Sequence, residues 1–245
     1  MAGYGQFCPM AKAMEVLDER WTILVVRELL AGSCHFNDLR RGVPKMSPAL
    51  LSKRLKSLAR AGIVARTEVD GRACYRLTRS GQELRGVVEA LNAWGARWVG
   101  TLGEEDLDPH LLMWDIRRTV VVDAWPRTRT VLEIRLDGVA PRTSRWWLVV
   151  SHGQVDLCDF DPGHEVTAQI DAGLRALTQI WRGDTSWERA LHDGDVRITG
   201  PAAVRRAVPS WIGQGAAAAV PRPATGYSGA GRMADGGNGQ MPTTN

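Results

Sequence analysis

Apolar positions along the chain fall into helix-spaced runs in the first two fifths and into shorter, strand-like runs beyond them. Pro9 suits the first turn of a short helix that carries Met10, Met14 and Leu17. Residues 21–31 (WTILVVRELLA) form an apolar helix closed by Gly32. A short polar helix over 36–41 ends at Gly42, and the turn Val43-Pro44-Lys45-Met46 follows. Ser47 then caps a longer helix with Pro48 at its first position, running through SPALLSKRLKSLARAG to a stop at Gly62. In it Leu51, Leu55 and Leu58 recur at i, i+4 and i+7 and share a core-facing side, while Ser52, Lys53, Lys56 and Arg60 fall elsewhere. Runs 63–68 (IVARTE) and 73–77 (ACYRL) read as two strands around Asp70-Gly71, a pair that tolerates the positive φ of a tight hairpin. A last helix opens at Ser80-Gly81-Gln82-Glu83, read as a capping box of Ser80 with Glu83, and continues through Leu84, Val87, Val88, Leu91, Trp94 and Trp98.

Glycine and acidic residues interrupt this pattern at 100–108 (GTLGEEDLD). Beyond them a helix is predicted over 111–122, strands over 130–136, 145–150, 154–158 and 165–170, helices over 172–182 and 186–192, a strand over 196–199, and a helix from Pro201. Strands followed by helices with a returning edge strand give an α+β unit, which holds seven of the ten tryptophans. From Gly213 onward eight glycines and three prolines stand among 33 residues without apolar periodicity, which predicts disorder. The expected organisation is 1–100, a linker at 101–107, 108–212, and a disordered tail at 213–245.

Charge sharpens the division. The net charge of +4 splits into +7 over residues 1–100 and −3 over 101–245, and all four lysines lie in the first 56 residues. A basic first part joined to a mildly acidic second part suits a polyanion-binding unit attached to something else. No apolar run reaches the roughly 18 residues of a membrane span, and no basic-then-apolar leader is visible. Four scattered cysteines then suggest reduced thiols and a cytoplasmic setting.

Two helices joined by a short turn and followed by a basic hairpin make a helix-turn-helix with a wing. Its second helix fits the DNA major groove, about 12 Å wide. Candidate contacts to double-stranded DNA are Ser47, Ser52, Lys53 and Lys56 on the helix, Lys45 and the pair Arg40-Arg41 beside it, and Arg72 at the wing tip. Arg54 neighbours the core face and either reaches a phosphate or pairs with an acidic residue.

Residues 7–98 resemble the HxlR family of winged-helix regulators. The resemblance rests on Cys8-Pro9, Trp21-Thr22, Leu24, Arg27-Glu28-Leu29-Leu30, Gly32 and Phe36-Asn37-Asp38-Leu39-Arg40. It continues through Ser47-Pro48, Leu50-Leu51-Ser52, Arg54-Leu55-Lys56, Leu58, Gly62, Tyr75, Leu77-Thr78, Gly81, Leu91 and Trp94-Gly95. It implies a transcription regulator that binds a pseudo-palindromic operator as a homodimer, built by the first helix and the helix after the wing. Leu84, Val88, Leu91, Trp94 and Trp98 are the candidate dimer residues. Some members of the family sense oxidants through a cysteine near the N-terminus, and Cys8 matches that position, which makes a thiol-switched regulator the alternative.

The second half of the C-terminal unit resembles the sterol-carrier-protein fold. The matching features run from residues 174–181 through Gly183-Asp184, Trp187, Ala190-Leu191 and Gly194-Asp195-Val196-Arg197-Ile198 to Gly200-Pro201. That resemblance implies a pocket for a hydrophobic small-molecule effector, or, as a third reading, a lipid-binding protein whose winged helix only mediates protein contacts. The expected fold class is therefore α+β: a winged helix-turn-helix plus a lipid-carrier-like α+β domain. No catalytic constellation, cofactor motif or metal-ligand spacing is found among the five histidines, four cysteines and the cluster Asp156, Asp159, Asp161, where Asp161-Pro162-Gly163 reads as a turn.

Overall fold

The computed structural model describes residues 3–99 and 102–222. Its first part carries α1 (Pro9–Leu17), α2 (Thr22–Leu30), α3 (Phe36–Gly42), α4 (Pro48–Arg60), β1 (Val64–Val69), β2 (Arg72–Leu77), α5 (Arg79–Glu83) and α6 (Arg85–Trp98). Val25, Val26 and Leu29 of α2, Leu39 of α3, and Leu51, Leu55 and Leu58 of α4 form one buried cluster with Ile63 and Val64. The i, i+4, i+7 face of α4 is thus the face that is buried. The β1–β2 hairpin is in register from Val64 opposite Leu77 to Val69 opposite Arg72. Asp70 and Gly71 take φ of 51° and 70°, the two left-handed positions of a tight turn.

The start of the helix after the wing differs from the expected capping box. Thr78 is the cap, its hydroxyl accepting from Gly81 N at 3.3 Å, while the Ser80 hydroxyl donates to Gly62 O at 3.0 Å. Glu83 turns to Arg79 instead. Gly81 packs so closely on the Ile63 carbonyl that any side chain there would overlap it, and the cap falls two residues earlier than the Ser-x-x-Glu pattern suggests. The helix then breaks at Leu84, giving α5 and α6 rather than one continuous element.

The second part comprises α7 (Pro109–Thr119), β3 (Thr130–Asp137), β4 (Arg145–Ser151), β5 (Gln154–Cys158), β6 (Ala168–Gly173), α8 (Leu174–Arg182), α9 (Trp187–Asp193), β7 (Val196–Thr199) and α10 (Ala202–Ile212). The strand expected at 165–170 begins three residues later, at Ala168, just after Thr167, whose hydroxyl accepts from Val131 N at 3.1 Å. The sheet order is β5-β4-β3-β6-β7, with β3 and β6 parallel and the other pairs antiparallel. Leu132, Ile134, Leu148 and Ile170 project from one sheet face into a core shared with Met113 and Ile116 of α7, Leu177 and Ile180 of α8, and Val208 and Trp211 of α10. On the other face Val131, Trp147 and Val149 form a smaller cluster. Three of the buried tryptophans donate their indole N–H groups to carbonyls: Trp125 to Trp211 O at 3.1 Å, Trp146 to Thr143 O at 2.7 Å, Trp187 to Gly213 O at 2.9 Å.

The expected disorder from Gly213 is corrected for residues 213–222; residues 223–245 lie outside the described ones. Gly215 N donates to Trp181 O at 2.8 Å, Gln214 to Ile180 O at 2.9 Å, and Arg222 to Arg182 O at 2.7 Å. A short 3₁₀ turn over Ala216–Ala219 lies against α6 and α8. Glycine-rich composition signals weak self-sufficiency, but here the backbone polar groups are satisfied by a neighbouring helix rather than by periodic structure of their own. Among the described residues no helix is long and apolar enough to cross a membrane.

The two parts meet along α3 and α7. Two guanidiniums lie over the ring of Trp114 of α7, that of Arg41 at 5.2 Å from its centre and that of Arg117 at 5.1 Å. Beneath this stack Glu28 of α2, wholly buried, holds Arg27 at 2.7 Å and receives Arg118 of α7 at 2.6 Å. Gly42 is packed against the Glu28 carboxylate with no room for a Cβ. Lys45 donates to the Glu105 carbonyl, and Arg97 of α6 to Pro221 O at 3.2 Å.

Candidate nucleic-acid interface

Ser47 caps α4 as the sequence implies, its hydroxyl accepting from Leu50 N at 3.3 Å in an extended backbone conformation, with Pro48 in the first turn. That cap sets where the helix begins, and the buried leucines set its rotation. What remains outward is Lys53 and Lys56, both exposed, with Ser47 exposed and Ser52 half-buried beside them. Arg72 stands exposed at the hairpin tip and Arg40 on α3. These groups can supply hydroxyl donors and acceptors to base edges and cations to phosphates.

Three expected contacts are engaged otherwise. Arg54 is buried: its Nε donates to Arg20 O at 3.1 Å and its Nη1 pairs with Glu19, so of the two roles open to it the acidic partner takes precedence. The reason is rotational, since position 54 lies beside Leu51, Leu55 and Leu58 on the inward side. Arg41 is exposed but stacked on Trp114, and Lys45 is drawn to Glu105. The dimer candidates also divide. Leu84 and Val88 pack against the cluster of their own chain, whereas Leu91, Trp94 and Trp98 are exposed, as are Val87 of the same helix and Phe7 and Met10 at and before α1.

Cys8 is half-buried at the cap of α1, its carbonyl accepting from Lys12 N at 3.1 Å. Sequence inspection overlooked a second thiol environment. Tyr75 N donates to Cys34 O at 2.8 Å and His35 bridges Cys74, which sets the Cys34 and Cys74 thiols side by side. Burial first, and the neighbouring Cys74 second, push the Cys34 thiol up to about 11, which keeps it protonated near neutrality. His35 Nδ1 lies 3.0 Å from Ala73 O, so its ring is occupied by the hairpin. Among the described residues no group of three His, Cys, Asp or Glu side chains could hold a metal ion.

The HxlR-like helix-turn-helix family model matches residues 16–102. Over 98 residues the chain is 35% identical to the uncharacterized HTH-type transcriptional regulator YvaP of Bacillus subtilis (strain 168), covering 38% of this chain and 91% of that protein. The chain belongs to the HxlR-like family. It is also 33% identical over 91 residues to the HTH-type transcriptional regulator YodB of the same organism, covering 36% of this chain and 81% of YodB. The solved reduced form of YodB from B. subtilis aligns at 30% identity and a TM-score of 0.33, over 37% of this chain and 92% of its own.

The HxlR-like match spans α2 through α6 and stops where the acidic 102–107 segment begins. Of the two residues central to the inter-part contact, Arg118 carried no signal in sequence beyond its charge, while Glu28 stood among the family-matching residues and at a position of α2 whose period is apolar, without either pointing to its partner. Arg72→Ala is expected to weaken DNA binding by a similar factor on any sequence and to flatten the logarithmic salt dependence by about one unit. Fluorescence anisotropy on a cognate and a scrambled duplex at several salt concentrations measures this, and an unchanged slope removes the wing from the interface.

Proposed function

We propose that this HxlR-like chain is a transcription regulator that binds a pseudo-palindromic operator in double-stranded DNA as a homodimer. One observation carries the reading: α4 is anchored by its back through Leu51, Leu55, Leu58 and Arg54, while the opposite side offers Lys53 and Lys56 to solvent. A helix clamped on one side and cationic on the other can enter a groove without losing its own packing. The exposed apolar side chains Phe7, Met10, Leu91, Trp94 and Trp98 support a two-fold dimer through α1 and α6. Such a dimer would space two copies of α4 by one turn of DNA, roughly 34–36 Å. Val87 adds to that surface, and Leu84 and Val88 do not.

In this proposal residues 108–212 form a regulatory domain of the sterol-carrier type. A five-stranded sheet with its large core on one face, closed by α7, α8 and α10, supports that assignment. The testing experiment titrates the purified full chain against duplexes from its own upstream region and scrambled duplexes, at two salt concentrations. Selective, salt-sensitive binding is expected. Lys53→Ala should weaken it by about 1–3 kcal/mol on the cognate duplex and narrow the gap to scrambled DNA. Absence of binding to any duplex at low salt overturns the proposal.

A further inference from the structure

Between the two parts lies a cleft of about 730 Å³ whose walls come from α2, α6, α7, α8 and the 215–222 segment. That volume is in the range of small-molecule sites, which favour such junctions. Its walls are mainly apolar, with Leu24 and Leu30 of α2 facing Leu91 of α6 and Trp181 of α8. One wall contains Gly95, in the interior of α6, where a glycine costs about 1 kcal/mol relative to alanine. A Cβ built at Gly95 meets nothing within 4 Å. Close packing therefore does not account for this glycine within the chain, and its effect is to leave the cleft wider.

The charge of the lining has a sign. Arg27, Arg85, Arg118, Arg182 and Arg222 face Glu89 and Asp115. The acidic groups behind the arginines are shared: Glu28 serves both Arg27 and Arg118, and Asp184 serves both Arg182 and Arg222. With Glu28 and Asp184 counted beside the two lining carboxylates, five guanidiniums stand against four carboxylates, which leaves one positive charge in excess. Arg85 is exposed and forms no ion pair among the described residues. Asp115 lies 2.6 Å from Arg118 Nη2, and burial, outweighing the nearby Arg118 and Arg27, pushes its carboxyl up.

We propose that this cleft binds a small apolar anion, an aromatic or aliphatic body carrying one acidic group, with the body between α2, α6 and Trp181 and the acid among the arginines. Because its walls belong to both parts, an occupant that fits one mutual arrangement better than another would shift α2 and α3 relative to α7, and with them the seat of α4. This regulatory consequence rests on the DNA-binding reading; occupancy of the cleft does not.

The test is a fluorescence titration of the full chain with 8-anilino-1-naphthalenesulfonate as the anionic probe and N-phenyl-1-naphthylamine as its neutral counterpart. Saturable binding of the sulfonate at one site per chain is expected. Gly95→Leu should weaken it at least about tenfold by filling the cleft, with unfolding temperature and sedimentation behaviour at least as good as those of the parent. Ala96→Leu, on the same wall, should act in the same direction. Arg85→Glu should weaken the sulfonate several-fold and spare the neutral probe. Equal binding of the sulfonate by the parent and Gly95→Leu overturns the site, and equal loss of both probes in Arg85→Glu overturns the anionic preference. A Gly95→Leu chain that changes its oligomeric state assigns the glycine to a subunit contact and also overturns the site. In a parallel DNA titration the sulfonate should shift operator affinity in the parent and not in Gly95→Leu; an unshifted parent overturns the coupling. A chain that binds no DNA fails the regulator reading, while the fluorescence titration still decides the cleft.

Discussion

Replacing Glu28 with alanine should lower unfolding stability by about 3–5 kcal/mol, the usual cost of leaving a buried charge without its partner. Glu28 is completely buried and neutralises two guanidiniums at once, Arg27 from its own helix and Arg118 from α7. Arg27 keeps a bond to Gly42 O at 3.0 Å and Arg118 keeps Asp115, but neither arrangement replaces the shared carboxylate. Because the triad spans both parts, the loss should also loosen α7 from α2 and α3. Chemical denaturation followed by tryptophan fluorescence reads both effects, with Trp114 reporting the junction. A loss under about 1 kcal/mol would mean that water reaches these charges and that the junction is held by the Trp114 stack instead.

Arg54→Ala should lose about 2–3 kcal/mol of stability and leave the salt slope of DNA binding where it was. The guanidinium is nearly enclosed, paired with Glu19 and donating to Arg20 O, so it holds the 19–21 loop onto the back of α4. That loop needs holding. Trp21, which precedes α2, takes a φ of 79°, a conformation disfavoured for a bulky side chain. The contrast with Arg72→Ala is the informative comparison: one variant should alter stability and not the slope, the other the slope and not stability. An Arg54 variant with full stability and a flattened slope would return this residue to the DNA interface.

Where sequence reasoning succeeded, the deciding physics was local. Ser47-Pro48 caps and starts a helix through its own hydroxyl and ring, and Asp70-Gly71 accepts the φ values of a tight turn; neither needs a distant partner. The leucine periodicity of α4 likewise carried its burial. Where it fell short, two local options had similar strength and a distant group chose between them. Thr78 displaced Ser80 as the cap because Gly81 seats against the Ile63 carbonyl. Leu84 and Val88 pack against the first cluster while Leu91 and Trp94, farther along α6, stay exposed, a division that the apolar period of the helix does not contain.

The sequence by itself determined a basic winged helix followed by an α+β sheet unit, because caps, turns and apolar periods act within a few residues. Only the tertiary structure decided that Glu28 waits for Arg118 ninety residues away, that Arg54 faces Glu19 rather than solvent, and that residues 213–222 lie against α8. Charge and hydrogen-bonding capacity are written in every residue, but the partner that satisfies them is set by which surfaces burial brings together. Composition alone carries no trace of that choice.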